Sequence, residues 1–349
     1  MTQRIEKLNT SLLQDDASKS SSFRSNKDRY RYWLLLITFI ILGALSAFGL
    51  LVYNNPVPIT SASFLPVVQR RMTSIIAMLI AAVCQSLSTV AFQSVTSNRV
   101  ITPSLLGFEA LYSTIQTSTL FFFGVGALIS FTGTHAFLLQ VGAMVIMCLI
   151  LYGWLLSGKY GDIQLMLLVG IIMGTGLRSL SSFMRRLLAP SEFDILQARL
   201  FGSVNNADAE YFPIAIALVL IASVLLLAFS SRLNVLALGK DVATSLGLNY
   251  QVGVFHVLAL VAILMSVSTA LVGPMTFFGF LTATLTYQAT PTYDHKYTFP
   301  MAIALGFLIL TGAYFIMNHI FNAQGVVSII IELVGGVIFL LLIFRKGEL

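Results

Sequence analysis

Between Ile214 and Phe229 the chain reads IAIALVLIASVLLLAF, and between Leu333 and Phe344 it reads LVGGVIFLLLIF, with no charge in either run. Such runs recur along the whole chain and lack the in–out alternation of membrane β-barrel strands. A backbone that leaves water must satisfy its own hydrogen bonds, so helices are the remaining solution. Composition agrees: 57% of the 349 residues are hydrophobic and 10% charged, against about 25% charged in a soluble domain. The solvent for most of the chain is lipid, and the expected fold class is all-α integral membrane protein.

Cut at charges, prolines and glycine clusters, the apolar runs give ten spans, at 32–53, 70–93, 104–126, 135–156, 163–187, 210–230, 251–272, 275–288, 297–319 and 325–344. The eighth is too short to cross about 30 Å at about 1.5 Å per residue. It follows Gly273-Pro274, which breaks the helix before it, and a broken helix at membrane depth is tolerated only inside protein. Residues 1–30 are polar and Ser-rich, with no apolar core or cleavage site, and are expected to be a disordered cytoplasmic tail ahead of a 31–349 transmembrane domain. An even number of spans then places both termini in the cytoplasm. Under that topology the N-terminal basic residues join Arg99, Lys159, Arg232, Lys240, Lys296, Arg345 and Lys346 on the inside, as the positive-inside rule requires. The net charge of +6 therefore points to membrane topology and not to nucleic acid.

The basic residues left on the outer side are all arginines: Arg70, Arg71, Arg178, Arg185, Arg186 and Arg199. They either snorkel to the interface or present forks to an acidic partner or anionic solute. Glu109, Arg178 and Glu332 fall within apolar spans, where a charge is costly and marks either mutual pairing or a solute path. Gly170 and Gly174 form a small-xxx-small pair, continued by Gly176, Ser179, Ser181 and Ser182, as close helix packing or a weakly polar cavity wall would need. GWLLSGKY at 153–160 matches part of a phosphate-binding loop but lacks the Ser or Thr for magnesium and follows no strand. Gly158 is better read as a helix cap, with Lys159 near the helix's negative end. Cys84 and Cys148 fall in apolar runs and give no disulfide framework, and the four histidines show no metal-ligand spacing. No catalytic constellation and no bound cofactor is expected.

One stretch breaks the pattern. LNVLALGKDVATSLGLNYQ, at 233–251, carries Lys240, Asp241 and two glycines among spaced leucines, like a short water-compatible helix. It resembles the cytoplasmic loop of the iron-siderophore and vitamin B12 ABC importer permeases, with its NxLALGxxxAxxLG pattern: Asn234, Leu236, Ala237, Leu238, Gly239, Ala243, Leu246 and Gly247 match. Further similarities cover nearly the whole chain. They are Gln93 with Asn98, Pro103 and Leu105-Leu106-Gly107; LLVGIIMG at 167–174; LFGSVNNADA at 200–209; Gly273-Pro274 with Phe277 and Gly279; Tyr293-Asp294-His295-Lys296 with Pro300; and Gly335-Gly336.

That resemblance implies the BtuC-like type II ABC importer permease fold of ten helices. It implies a transport subunit without enzymatic activity, with ATP and Mg on partner ATPase subunits, a second permease subunit and an external substrate-binding protein. The 233–250 segment becomes the coupling element, in which Asn234, Leu236, Ala237, Leu238, Gly239, Asp241, Val242, Ala243, Leu246 and Gly247 meet the ATPase, with Leu236, Val242 and Leu246 as groove anchors. The alternative for this segment is a helix lying on the lipid surface. Asn98 and Val100 correspond to the inner gate, and Arg70 and Arg71 to docking of the binding protein. Gly174, Arg178, Ser179, Ser182, Glu109 and Glu332 are candidates for the translocation path. Departures from the family pattern, including 282–287 in place of P-H-x-x-R and Ser74 in place of a second arginine, look like the branch that imports ferric catechol-type siderophores with two unlike permeases. Haem or vitamin B12 import, and proton coupling through Glu109 and Glu332, are the rival expectations.

Overall fold

The computed structural model describes residues 22–53, 64–130, 133–156, 163–319, 321 and 327–346, and contains no strand among them. In chain order the helices are α1 (Asn26–Val52), α2 (Phe64–Val95), α3 (Phe108–Ser130), α4 (Thr134–Leu156), α5 (Ile163–Arg186), α6 (Pro190–Leu200), α7 (Phe212–Ala228), α8 (Ser230–Leu236), α9 (Lys240–Ser245), α10 (Tyr250–Val272), α11 (Phe278–Ala289), α12 (His295–His319) and α13 (Val327–Lys346). Ten of these coincide with the ten expected spans. Seven of the ten, α1, α2, α4, α5, α7, α10 and α12, are long and apolar enough to cross a membrane. The other three are α3, which bends at Gly124, the twelve-residue α11, and α13.

At the centre lie α2 and α10, whose most apolar windows are 78% and 67% buried, against 22% for α1 and for α5. Lipid replaces water around such a bundle, so close packing and polar contacts hold helices together more than apolar burial does. The buried face of α2 suits that demand: Ala77, Ala81, Ala82, Ser86 and Ser88 keep the neighbouring backbones close. Around this centre α12 packs on α1 and α2, α4 and α7 pack on α10, and α3 pairs with α5. Gly170 and Gly174 of α5 let in the turn that leads into α3. Leu106 packs over Gly170, and a Cβ on Gly174 would come within 2.9 Å of the Gly107 Cα. Ser181 adds a hydroxyl contact to Thr117 at 2.9 Å.

One boundary differs from expectation. The polar tail does not run to residue 30. Ser25 caps α1 by accepting from the Lys27 N–H at 3.3 Å, and Phe23 is buried between Tyr32 and Tyr297, with ring centroids at 5.5 and 4.6 Å. One aromatic anchor thus orders the chain ahead of the span. The rest of the expected tail, residues 1–21, and the Gly158–Lys159 cap lie outside the described residues.

The eighth span is short as expected. α10 stops at Val272, the chain turns through Gly273–Phe277, and α11 starts at Phe278. The loop at 200–209 closes over this turn: Ser203 N–H donates to the Val272 carbonyl at 2.7 Å and Val204 N–H to the Tyr314 hydroxyl at 3.2 Å. Gly202 passes so close to Pro274 that a Cβ there would overlap the Pro274 carbonyl oxygen.

Candidate functional site

The water-compatible stretch is two short helices, α8 and α9, and not one. The split falls at Gly239, with φ +95°, and α9 ends at Gly247, with φ +83°, where Leu248 N–H donates back to the Ala243 carbonyl at 3.0 Å. Both conformations are left-handed and favour glycine, which accounts for the two glycines of LALGxxxAxxLG. Asn249 then caps α10 by accepting from the Val252 N–H at 3.2 Å.

The pair of helices has an inner and an outer side. Leu236 and Ala243 are buried, with the Leu236 methyls lying on Gly253 of α10. Leu236 is therefore not an outward anchor: the close approach of Gly253 creates a socket that sequence spacing cannot show. Outward point Leu238, Val242 and Leu246, at 60%, 45% and 61% exposure, with Asp241 and Gly247 also exposed and Asn234, Ala237 and Gly239 intermediate. Three apolar side chains this open, outside the long spans, form an exposed apolar face.

Behind this face is a cavity of about 620 Å³, lined by Asn234, Ala237 and Leu238 together with Arg99, Tyr293 and Asp294, among others. Arg99 stacks its guanidinium over Tyr287 at 4.6 Å and Tyr293 at 5.8 Å. The cation–π contact keeps this basic side chain beside the apolar rim. The Asp294 carboxylate accepts from Asn234 Nδ2 at 2.9 Å, the Lys296 N–H at 3.1 Å and the Ser22 hydroxyl at 2.9 Å. Partial burial pulls its pKa up, but these three bonds and the Lys296 charge outweigh it and hold the acid below 3.8. Because the folded value is the lower one, the stability this carboxylate contributes is present above its unfolded pKa and is lost as pH falls through the lowered value.

The turn that carries Asn98 and Val100, the residues expected at the gate, lies directly after α2. Asn98 Oδ1 accepts from the Val100 N–H at 2.9 Å, and Gln93 Nε2 donates to the Arg99 carbonyl at 2.7 Å. Ser97 sits at φ +49°, an uncommon conformation for a non-glycine residue.

At the other end of α2, Arg71 and Arg70 separate. The Arg71 guanidinium donates to the carbonyls of Leu50, Leu51 and Tyr53 at 3.0–3.2 Å, closing the C-terminus of α1, while Arg70 is exposed. Four orphan carbonyls end every helix, and Arg71 answers those of α1. Arg71→Ala is expected to cost about 2 kcal/mol, the worth of hydrogen bonds to a charged group, read as a lower unfolding temperature in detergent. Arg70→Ala should leave that temperature unchanged.

Of the candidates for a path, Gly174 is buried against Gly107. Arg178, Ser179 and Ser182 lie on the exposed side of α5 with Thr175 and Gly176. Glu109, buried, accepts from the Thr276 hydroxyl at 2.6 Å, and Glu332 is half-buried and takes a backbone hydrogen bond from Thr276. Glu109 lies within electrostatic range of both Glu332 and Arg178. Glu109 and Glu332, far apart in sequence, thus both meet Thr276 in the turn before α11, with Arg178 in electrostatic range of Glu109. Thr276, Ser94 and the Ser22-Phe23 anchor escaped sequence reasoning, and Arg99 reads there only as an inside basic residue. Ser22 stood among other serines without distinction, whereas the Tyr293-Asp294-His295-Lys296 run did stand out.

The FecCD transport family model matches residues 29–345. The petrobactin import system permease protein FatC of Bacillus anthracis is 68% identical over 339 residues, covering 97% of this chain and 96% of its own. A second permease protein of a petrobactin import system in Bacillus anthracis, FatD, is 24% identical over 288 residues, covering 80% and 81%. A solved metal-chelate type ABC transporter in an inward-facing conformation superposes with a TM-score of 0.73 at 20% identity, covering 90% of this chain and 99% of that one. The last likeness concerns fold alone. With a family match over nearly its full length and a full-length relative at this identity, the chain belongs to the FecCD transport family.

Proposed function

We propose that this chain is a permease subunit of an ATP-binding cassette importer that carries a ferric siderophore, of the petrobactin kind, across the cytoplasmic membrane. The observation that carries the reading is the outward apolar face of α8 and α9, Leu238, Val242 and Leu246, on a chain whose substance is membrane-spanning helices. That face takes a separate ATPase subunit, which holds ATP and Mg, in helix-in-groove fashion. Both termini lie on the ATPase side, as the basic residues at 24–31 indicate. Arg70, exposed at the opposite end, contributes to docking of an external substrate-binding protein.

The partner permease is an unlike chain: the two petrobactin permease proteins of Bacillus anthracis are both relatives, at very different identities. It covers the exposed side of α5, where Arg178, Ser179 and Ser182 would otherwise meet lipid. The ferric chelate passes along that seam, and Arg178 attracts its negative charge. Purification of the chain with candidate ATPase subunits and a second permease tests the reading. The expected result is ATPase activity stimulated by a binding protein loaded with ferric petrobactin, and not by one loaded with haem or vitamin B12. Arg178→Glu should retain that stimulation while uptake falls about tenfold or more, the scale of a like-charge penalty in a focused field.

A further inference from the structure

We infer that His295 is a positioning residue which, through hydrogen bonds to Asn234 and Ser94, makes the docking helices and the gate turn move as one body. The inference rests on the importer reading and names the side chains that carry its stroke.

The argument starts with the Asn234 amide. The backbone N–H of His295 can only donate, so at 3.1 Å it selects Oδ1; the Asp294 carboxylate can only accept, so at 2.9 Å it selects Nδ2. Oδ1 also faces the His295 Nδ1, which must then carry the ring proton. In the neutral ring Nε2 is left as an acceptor, and the Ser94 hydroxyl, 2.6 Å away, donates to it. Donation therefore runs from Ser94 to His295 to Asn234 to Asp294, and joins α2, α12 and α8. His295 is only 5% exposed, and its ring stands with Ser94 and Asn234 at the wall of the cavity.

Two further contacts run in parallel, from the Tyr250 hydroxyl to the Val95 carbonyl at 3.4 Å and from the Ser97 hydroxyl to the Ala237 carbonyl at 3.5 Å. On the α2 side the next residues are the gate turn itself. Asn98 N–H donates to the Gln93 carbonyl at 3.2 Å, and Gln93 in turn holds Arg99. Apolar contacts alone would let α8 slide on α2; directional bonds at the helix end do not. Ser94 also has a fallback acceptor in its own helix, the Val90 carbonyl at 2.8 Å. When the helices part, its hydroxyl turns back without being left unpaired, so the clamp opens and closes with little penalty.

The test uses the whole importer, with its ATPases, second permease and binding protein, in proteoliposomes, and reads ferric petrobactin transported per ATP hydrolysed. His295→Phe keeps ring volume without the bonds, and Ser94→Ala removes a single hydroxyl. Each should leave ATPase rates within about twofold while the transport ratio falls about tenfold, and the double variant should fall no further than either single one. His295→Gln, which can accept from Ser94 and donate to Asn234, should recover about half of the ratio. If His295→Phe does not assemble, Ser94→Ala alone decides. A wild-type ratio in Ser94→Ala overturns the clamp and leaves the importer reading standing, whereas a wild-type complex without ATP-dependent uptake overturns that reading itself.

Discussion

Placing aspartates at Leu238 and Leu246 together is expected to weaken association with the ATPase subunits about 100-fold, the loss typical of buried apolar anchors replaced by charge. The fold should be untouched, because both side chains are about three-fifths exposed and Gly239 and Gly247, which shape the segment, stay in place. Leu236→Asp makes the contrast. It drives a carboxylate into the socket over Gly253, so the protein loses stability before any question of docking arises. Co-purification with the ATPase, together with the unfolding temperature in detergent, separates the two outcomes. Equal loss of stability in both variants would mean that the outward leucines are part of the core.

The largest structural effect is expected at Gly202. Valine there puts a Cβ onto the Pro274 carbonyl and lifts the loop from the end of α10, breaking the bonds from Ser203 to Val272 and from Val204 to Tyr314. Overpacking and the two lost bonds together cost about 3 kcal/mol or more. Gly176→Ala is the matching control: nothing lies within 4 Å of its added carbon, so the isolated chain should gain about 0.5–1 kcal/mol of helix propensity. Thermal unfolding of the three proteins in the same detergent gives the comparison. A Gly202→Val protein that unfolds with the wild type would show that the loop does not bear on the broken helix.

Much of the architecture was legible in the sequence because the bilayer makes burial and span length the same signal. Unbroken apolar runs marked every long helix, and Gly273-Pro274 marked the break before α11. The site was legible as a segment and less so as a set of side chains. Spacing distinguished Leu236, Val242 and Leu246 from their polar neighbours, but only the approach of Gly253 decides that Leu236 turns inward. In the same way, Arg71 has the chemistry of a docking residue until the carbonyls ending α1 are seen to surround it. The pairs that matter most, Asn234 with Asp294, Ser94 with His295 and Glu109 with Thr276, join residues 60 to 201 positions apart. No local periodicity reports such contacts.

The importer reading stands or falls with the energy source. Uptake of ferric petrobactin into proteoliposomes that hold the permease pair, its ATPases and the binding protein should require ATP on the ATPase side, stop when hydrolysis is blocked, and persist with a protonophore. Uptake that survives without ATP and collapses with the protonophore would contradict the account, and would return Glu109 and Glu332 to the role of proton carriers.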